Sequence, residues 1–186
     1  LAAAIGASLT GAMSMTATSG PGFSLMQENL GFAIMCEAPV VIVNVMRGGP
    51  STGQPTLHSQ GDVLQARWGH HGDGELIAYA PWSVQECLEL TIESFRKALK
   101  YRTPVVLLSD AIIAHMRENV FVPDESELEP IREEIQKRRK AVFGAGLRVH
   151  ITGLVHDERG YPSDDPHVCK KLLNRLRKKI LDSMDD

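Results

Sequence analysis

The chain has 186 residues, enough for one ordinary domain or for one domain and part of another. Hydrophobic residues make up 43% and charged residues 23%, the balance of a globular protein, and a formal net charge of −3 leaves no general basic field for nucleic acid or an anionic membrane. No apolar run approaches the roughly 20 residues of a spanning helix, and the apolar start, Leu1 to Ala7, is too short and has no basic flank for a signal peptide.

The opening Leu1 to Ala12 is dominated by small residues and reads as a helix that a neighbour can approach closely. It begins abruptly, so further residues are expected upstream. Met13 to Thr18 is a short strand ending at the turn Ser19-Gly20-Pro21-Gly22. Phe23 to Glu37 follows as a helix, with Leu25, Met26, Leu30, Ile34 and Met35 at helical spacing. Pro39 closes it, and Val40 to Met46 is a valine- and isoleucine-rich run, the pattern of a strand buried on both faces.

A long polar loop is expected from Arg47 to the neighbourhood of Asp62 and beyond. Leu76 to Ala80 is the next strand, and Ser83 with Glu86 forms a capping-box signature for an amphipathic helix. Pro104 opens a third apolar strand, Val105 to Ser109. Strands alternating with helices indicate βαβ units and a parallel sheet with helices on both faces.

Composition changes after Val122. Residues 1–122 read as the main α/β domain and 123–147 as a charged connector containing a helix, whose basic cluster Lys137-Arg138-Arg139-Lys140 is a solvated face. Residues 148–186 read as the start of a second α/β domain. It has a strand at Arg148 to Leu154 and a helix opened by Asp165 and Pro166 that runs to about Met184. One strand and one helix bury too little alone, so this tail must dock on something.

Three cysteines, Cys36, Cys87 and Cys169, stand far apart without a CxxC pair. That argues against a zinc or iron–sulfur site held by this chain alone and against a disulfide-stapled secreted domain, leaving a cytoplasmic location as the expectation. His58, His70, His71 and Asp73 invite a metal reading but lack a helical i, i+4 pair. A Ser51–His58–Asp62 triad lacks the nucleophile-elbow context.

Arg47 is the stronger candidate. It falls just past the carboxyl end of an apolar strand, where open α/β sheets bind ligands, and its planar fork matches a carboxylate or phosphate. Gly48 to Gly53 follows without a P-loop ending. Its backbone N–H groups suit an anion, and Thr56 and Ser51 offer hydroxyls to a ligand held by Arg47. Glu28 lies mid-helix; it either points into a site near the turn or is an exposed helix residue. His115 and Arg117 follow the third strand toward the same sheet end.

Thr16 to Met26, Arg47 to Thr56, His71-Gly72-Asp73, Tyr101 to Arg117 and Thr152 to Pro162 together resemble the alpha subunit of 2-oxoacid:ferredoxin oxidoreductases, the 2-oxoglutarate type above all. The Thr18-to-Gly22 turn is also similar to that of acetolactate-synthase-type thiamine enzymes. The resemblance implies the pyrimidine-binding type of thiamine diphosphate domain and the oxidative decarboxylation of a 2-oxoacid to an acyl-CoA. Electrons would leave through iron–sulfur clusters to ferredoxin. It places Ser19, Gly20, Pro21 and Gly22 against the aminopyrimidine ring, with Glu28 as a further cofactor candidate. Arg47, Thr56 and Ser51 fall on the substrate.

The resemblance further implies partners. A beta subunit would carry the diphosphate and magnesium site, iron–sulfur clusters would sit on partner subunits, and gamma and delta subunits are possible additions. Coenzyme A, ferredoxin and a 2-oxoacid complete the set; neither nucleic acid nor membrane belongs to it. The family's proton-handling glutamate and its Tyr-Pro-Ile-Thr-Pro loop would lie upstream, so no catalytic residue is assigned here. A diphosphate-binding GDG with a following asparagine segment is absent, and activity from this chain alone is not expected. A non-catalytic assembly or regulatory module with the same fold, and a small-anion binder built on Arg47, remain the other readings.

Overall fold

The computed structural model describes residues 1–139, 146 and 150–186. Its centre is a parallel sheet in the order β1-β2-β5-β4, formed by Met15–Thr18 (β1), Val41–Gly48 (β2), Val105–Asp110 (β5) and Ile77–Tyr79 (β4). The two inner strands are the most apolar in the sequence. Val41 pairs with Val105 and the register runs on to Met46 with Asp110. Every residue of β5 is buried, as a strand covered on both faces requires.

Helices cover both faces. On one, Phe23 and Leu30 of Pro21–Met35 (α2) pack on Ile42, Met46, Val106 and Leu108. On the other, Ala98 of Val84–Tyr101 (α4) packs on Val41, Ile77 and Val105. Ala2–Leu9 (α1) lays Ile5 against Ala33, Ala38 and Val40, and its small residues make that close approach possible. The serine half of the expected capping box forms, the Ser83 hydroxyl accepting from the Glu86 N–H at 3.1 Å, while the Glu86 carboxylate accepts from the N–H of Trp82 rather than of Ser83.

The polar stretch after Arg47 is not a plain loop. It folds back as Gln54–His58 (β3), antiparallel to β2, and then forms the short helix Val63–Trp68 (α3). All five residues of β3 are exposed, so no hydrophobic alternation marked it. A further short helix, Ala111–His115 (α5), follows β5 directly, capped by Asp110.

Glu125–Arg139 (α6) supplies the helix expected in the charged connector. The side chains of its basic cluster, with residues 140–145 and 147–149, lie outside the described residues. The expected strand at Arg148 to Leu154 is not found in its described part: residues 150–154 are irregular, and the nearby pairing is an isolated bridge between His156 and Pro162. The Asp157 carboxylate accepts from the N–H groups of Arg159 and Tyr161 and folds that segment into a local turn instead of a ladder.

Pro166–Asp182 (α7) docks on the main sheet. Ile180 joins the α4-side core. Glu37, at a left-handed position with φ 54° just after α2, accepts from Arg102, Arg175 and Lys179, with Arg175 binding both its oxygens at 2.7 and 2.9 Å. Beyond α7, the Asp186 side chain is held by Lys97, Lys100 and Tyr101 of α4. Among the described residues no helix is long and apolar enough to cross a membrane.

Candidate functional site

The carboxyl ends of β1, β2 and β5 carry the chemistry-bearing residues. After Thr18 the chain turns through Ser19 and Gly20 into α2. The Ser19 hydroxyl donates to the Val45 carbonyl at 2.7 Å and ties the turn to β2. Gly20 has φ +56° and ψ −126°, a conformation open in practice to glycine alone. Pro21 opens the helix, its fixed φ suited to the first helical position. Gly22 lies so close to Thr18 that a Cβ there would meet the Thr18 Oγ1 at 2.1 Å.

Arg47, near the end of β2, brings its guanidinium to this turn. A Cβ on Gly20 would sit 2.6 Å from Arg47 Nε and 2.9 Å from Cζ and Nη2. The Nε–H is buried and has no partner among the described residues; Nη2 reaches only the Thr52 carbonyl, at 3.4 Å. A buried guanidinium N–H without an acceptor carries an uncompensated desolvation cost, which a charge-assisted hydrogen bond to an anion would offset. The turn that the resemblance assigns to the cofactor ring and the arginine that it assigns to the substrate thus lie against each other.

Ser51 and Thr56 lie on the segment beyond Arg47, both exposed, Ser51 with φ 54°. Arg47 pairs with His58 and Gly48 with Gln54, so residues 55–57, Thr56 among them, bulge from the ladder. Glu28 lies elsewhere: two helical turns past Pro21, exposed, lining a groove of about 660 Å³ with Phe32, His70 and Leu154. The turn and Arg47 are therefore brought together, and Glu28 is not brought to them.

The histidines do not converge. His70 is buried and uses Nδ1 on the His71 carbonyl, and among the described residues no group of three His, Cys, Asp or Glu side chains is arranged to hold a metal ion. Asp62 is engaged with Asn44, and no hydrogen bond joins Ser51, His58 and Asp62 among the described residues. His115 ends α5, exposed, with Arg117 just beyond it.

Sequence reading missed the polar groups beneath the loop. Asn44, fully buried in β2, donates to Asp62 at 2.9 Å. Asp110, at the end of β5, accepts from Gln60 at 2.9 Å. Burial pushes the Asp110 carboxyl up, but the hydrogen bonds from Gln60, Ile113 and Ile112 outweigh it and hold the group below the usual aspartate value. The signal was present: an asparagine interrupts the apolar run Val40 to Met46, and Ser109-Asp110 ends another.

A parallel sheet covered on both faces, with this strand-turn-helix and a cation at its carboxyl end, is an α/β domain of the thiamine diphosphate-binding type. The chain belongs to the family described as pyruvate flavodoxin/ferredoxin oxidoreductase, thiamine diphosphate-binding, whose model matches residues 1–174. It is 52% identical over 198 residues to the 2-oxoglutarate synthase subunit KorA of Methanocaldococcus jannaschii, covering 100% of this chain and 54% of that protein. It is 45% identical over 137 residues to the 2-oxoglutarate oxidoreductase subunit KorA of Mycobacterium tuberculosis, covering 74% of this chain and 21% of that one. Among solved structures it resembles the 2-oxoglutarate:ferredoxin oxidoreductase from Magnetococcus marinus, determined with 2-oxoglutarate, coenzyme A and succinyl-CoA bound. The match has a TM-score of 0.82 and 33% identity, over 99% of this chain and 35% of that one. The chain spans about half the length of the archaeal relative it matches end to end.

Proposed function

We propose that this chain forms the pyrimidine-binding side of a 2-oxoacid:ferredoxin oxidoreductase. The enzyme oxidatively decarboxylates a 2-oxoacid, 2-oxoglutarate by analogy with the named relatives, to an acyl-CoA with electrons passing to ferredoxin. The observation that carries the reading is the Arg47 guanidinium, with a buried and unpartnered Nε–H, lying against the backbone of Gly20. A substrate carboxylate on Arg47 would sit beside the turn that faces the cofactor ring, and Thr56 and Ser51 would supply hydroxyls from the bulged segment.

The residues fit the ring half of thiamine diphosphate. Ser19 to Gly22 present a turn whose two glycines carry no side chain and which is fixed by the Ser19–Val45 hydrogen bond. Bound there, the cofactor supplies the electron sink for decarboxylation. This chain orients it and holds the anion. Magnesium, the diphosphate and the iron–sulfur clusters are assigned to partner subunits: a beta subunit, with gamma and delta subunits as additions, in the cytoplasm. Glu28, in its separate groove, makes the weakest claim on the cofactor.

An exposed apolar face beside the turn supports a partner there. Ser24 on α2 accepts from Gln65 on α3 at 2.8 Å, and around this junction Leu25, Leu64 and Trp68 are 82%, 72% and 61% exposed. Apolar side chains gathered in this way mark an interaction surface. In the same proposal residues 1–122 are the pyrimidine-side unit, 123–147 a connector and 148–186 the beginning of a following unit, which rests on the first through Ile180 and Glu37.

The test is steady-state kinetics of the complex assembled from the full-length chain and its partner subunits. Arg47→Ala should weaken 2-oxoacid use by about 2–4 kcal/mol through loss of a charge-assisted pair. Unchanged kinetics with pyruvate, 2-oxoglutarate and branched 2-oxoacids alike would overturn the assignment.

A further inference from the structure

We infer that Gln60 is a positioning residue for the substrate segment, fixed by the carboxylate of Asp110, with the Asp62–Asn44 hydrogen bond as a second anchor. The inference rests on the functional reading of Arg47 and Thr56 above.

That segment buries little side-chain surface, although β3 meets α5 as well as β2. Residues 49–58 are all exposed, and its ladder with β2 has a register break between Arg47 and Gly48. A segment with so little buried surface is free to drift unless polar contacts fix it. Two such contacts follow immediately after β3. Gln60 Nε2 donates to Asp110 Oδ2, and Asp62 Oδ2 accepts from Asn44 Nδ2, each at 2.9 Å.

The anchor points are rigid and buried. Asn44 is 0% and Asp110 4% exposed; Asn44 lies in the middle of β2 and Asp110 at the carboxyl end of the neighbouring strand β5. Asp110 is fixed twice, because its other oxygen accepts from the N–H groups of Ile112 and Ile113 at 2.8 and 3.0 Å and caps α5. A buried carboxylate and a buried amide are costly to desolvate, and an apolar side chain would pack these strand positions as well. What the polar groups add is direction. They set where the chain returns after β3, and with it the distance from Thr56 to Arg47. His58, two residues before Gln60, is the backbone ladder partner of Arg47, so the anchor lies two residues from the position paired with it.

The test uses the assembled oxidoreductase with the full-length chain and a varied 2-oxoacid concentration. Gln60→Ala should raise KM for the 2-oxoacid about tenfold, the scale of one lost hydrogen bond, and leave kcat close to wild type. Asp110→Asn keeps an oxygen for the α5 cap and an amide for a rotated Gln60 side chain, and should hold KM near wild type. Asp110→Ala should raise KM, and adding Gln60→Ala to it should raise KM no further, since both act through one contact. Wild-type KM in Gln60→Ala, a fall in kcat alone, or additive effects in the double variant would each overturn the inference. Arg47→Ala in parallel separates the two claims: if it raises KM and Gln60→Ala does not, the anchor fails alone; if Arg47→Ala leaves KM unchanged, the reading of the site fails.

Discussion

The guanidinium of Arg47 rests on the bare backbone of Gly20, close enough that a single methyl group at position 20 would stand 2.6 Å from Arg47 Nε. Two penalties then fall on Gly20→Ala. The residue would be held at φ +56° and ψ −126°, a region that costs a non-glycine residue on the order of 1–3 kcal/mol. The methyl group would also push Arg47 off its seat. The variant should melt lower than wild type and show a raised KM for the 2-oxoacid in the assembled enzyme. Thermal unfolding and kinetics together check this, and a variant unchanged in both would remove the contact from consideration.

The parts of this arrangement that the sequence announced are the parts governed by burial. Val40 to Met46 and Val105 to Ser109 are apolar because both sheet faces are covered, and Val84 to Tyr101 shows one apolar stripe because one face of that helix is. β3 gave no such sign: its exposed residues pair with β2 at two ladder positions, and the chain just after it is tied down by the Gln60–Asp110 and Asp62–Asn44 hydrogen bonds. The six residues of α3 are too few to display a period. Arg47 was legible as the residue that follows an apolar run, although β2 continues through it to Gly48 rather than ending before it; its contact with Gly20 was not legible. That contact depends on β1 and β2 lying side by side, a pairing between segments far apart in sequence.

A second close approach in the same turn yields a separable prediction. Alanine at Gly22 would place its Cβ 2.1 Å from the Thr18 hydroxyl oxygen. Gly22→Ala should destabilise the chain by about 1–3 kcal/mol, the usual scale of overpacking. Thr18→Ala removes the obstructing atom, so the double variant should recover most of the loss. Denaturant unfolding of the two singles and the double forms a cycle in which a coupling near zero would show that the obstruction is relieved in some other way.

Glu37 fastens α7 to the main sheet, and its removal should loosen that helix in particular. Burial pushes the Glu37 carboxyl up, but hydrogen bonds from Arg175 and Lys179, with the charges of Lys179 and Arg102, reverse this and hold it far below the usual glutamate value. Lys179 itself is lowered, by burial first and then by its guanidinium neighbours despite Glu37, whereas Arg175 is raised by its hydrogen bond to Glu37. Glu37→Gln leaves these cations without their shared anion and should cost about 2–4 kcal/mol, seen as faster hydrogen exchange along α7 than along α2. A depressed carboxyl stabilises the fold fully above the ordinary value of 4.5 and loses that contribution as the pH falls below it. Wild type should therefore lose stability on acidification in a way that Glu37→Gln does not, and parallel pH profiles for the two would sink the assignment.

Cys36 precedes Glu37 and should be the slow thiol of the folded chain. Burial raises it to about 11; backbone hydrogen bonds from Ala38 and from Cys36 itself oppose this, and the Glu37 charge adds to it. The thiolate is the reactive form, so iodoacetamide at pH 8 should modify Cys36 in the native protein far more slowly than in the denatured chain. The linkage has a definite sign. The unfolded thiol ionises near 9.0 while the folded one keeps its proton, so the contribution is complete below 9.0 and is lost as the pH rises toward 11. Peptide mapping after timed labelling at a series of pH values reads both statements. Labelling of Cys36 at pH 8 as fast in the native as in the denatured state would show that the thiol is neither buried nor shifted, and would count against the packing of α1 on the end of α2, where Cys36 borders the cluster of Ile5, Ala33, Ala38 and Val40.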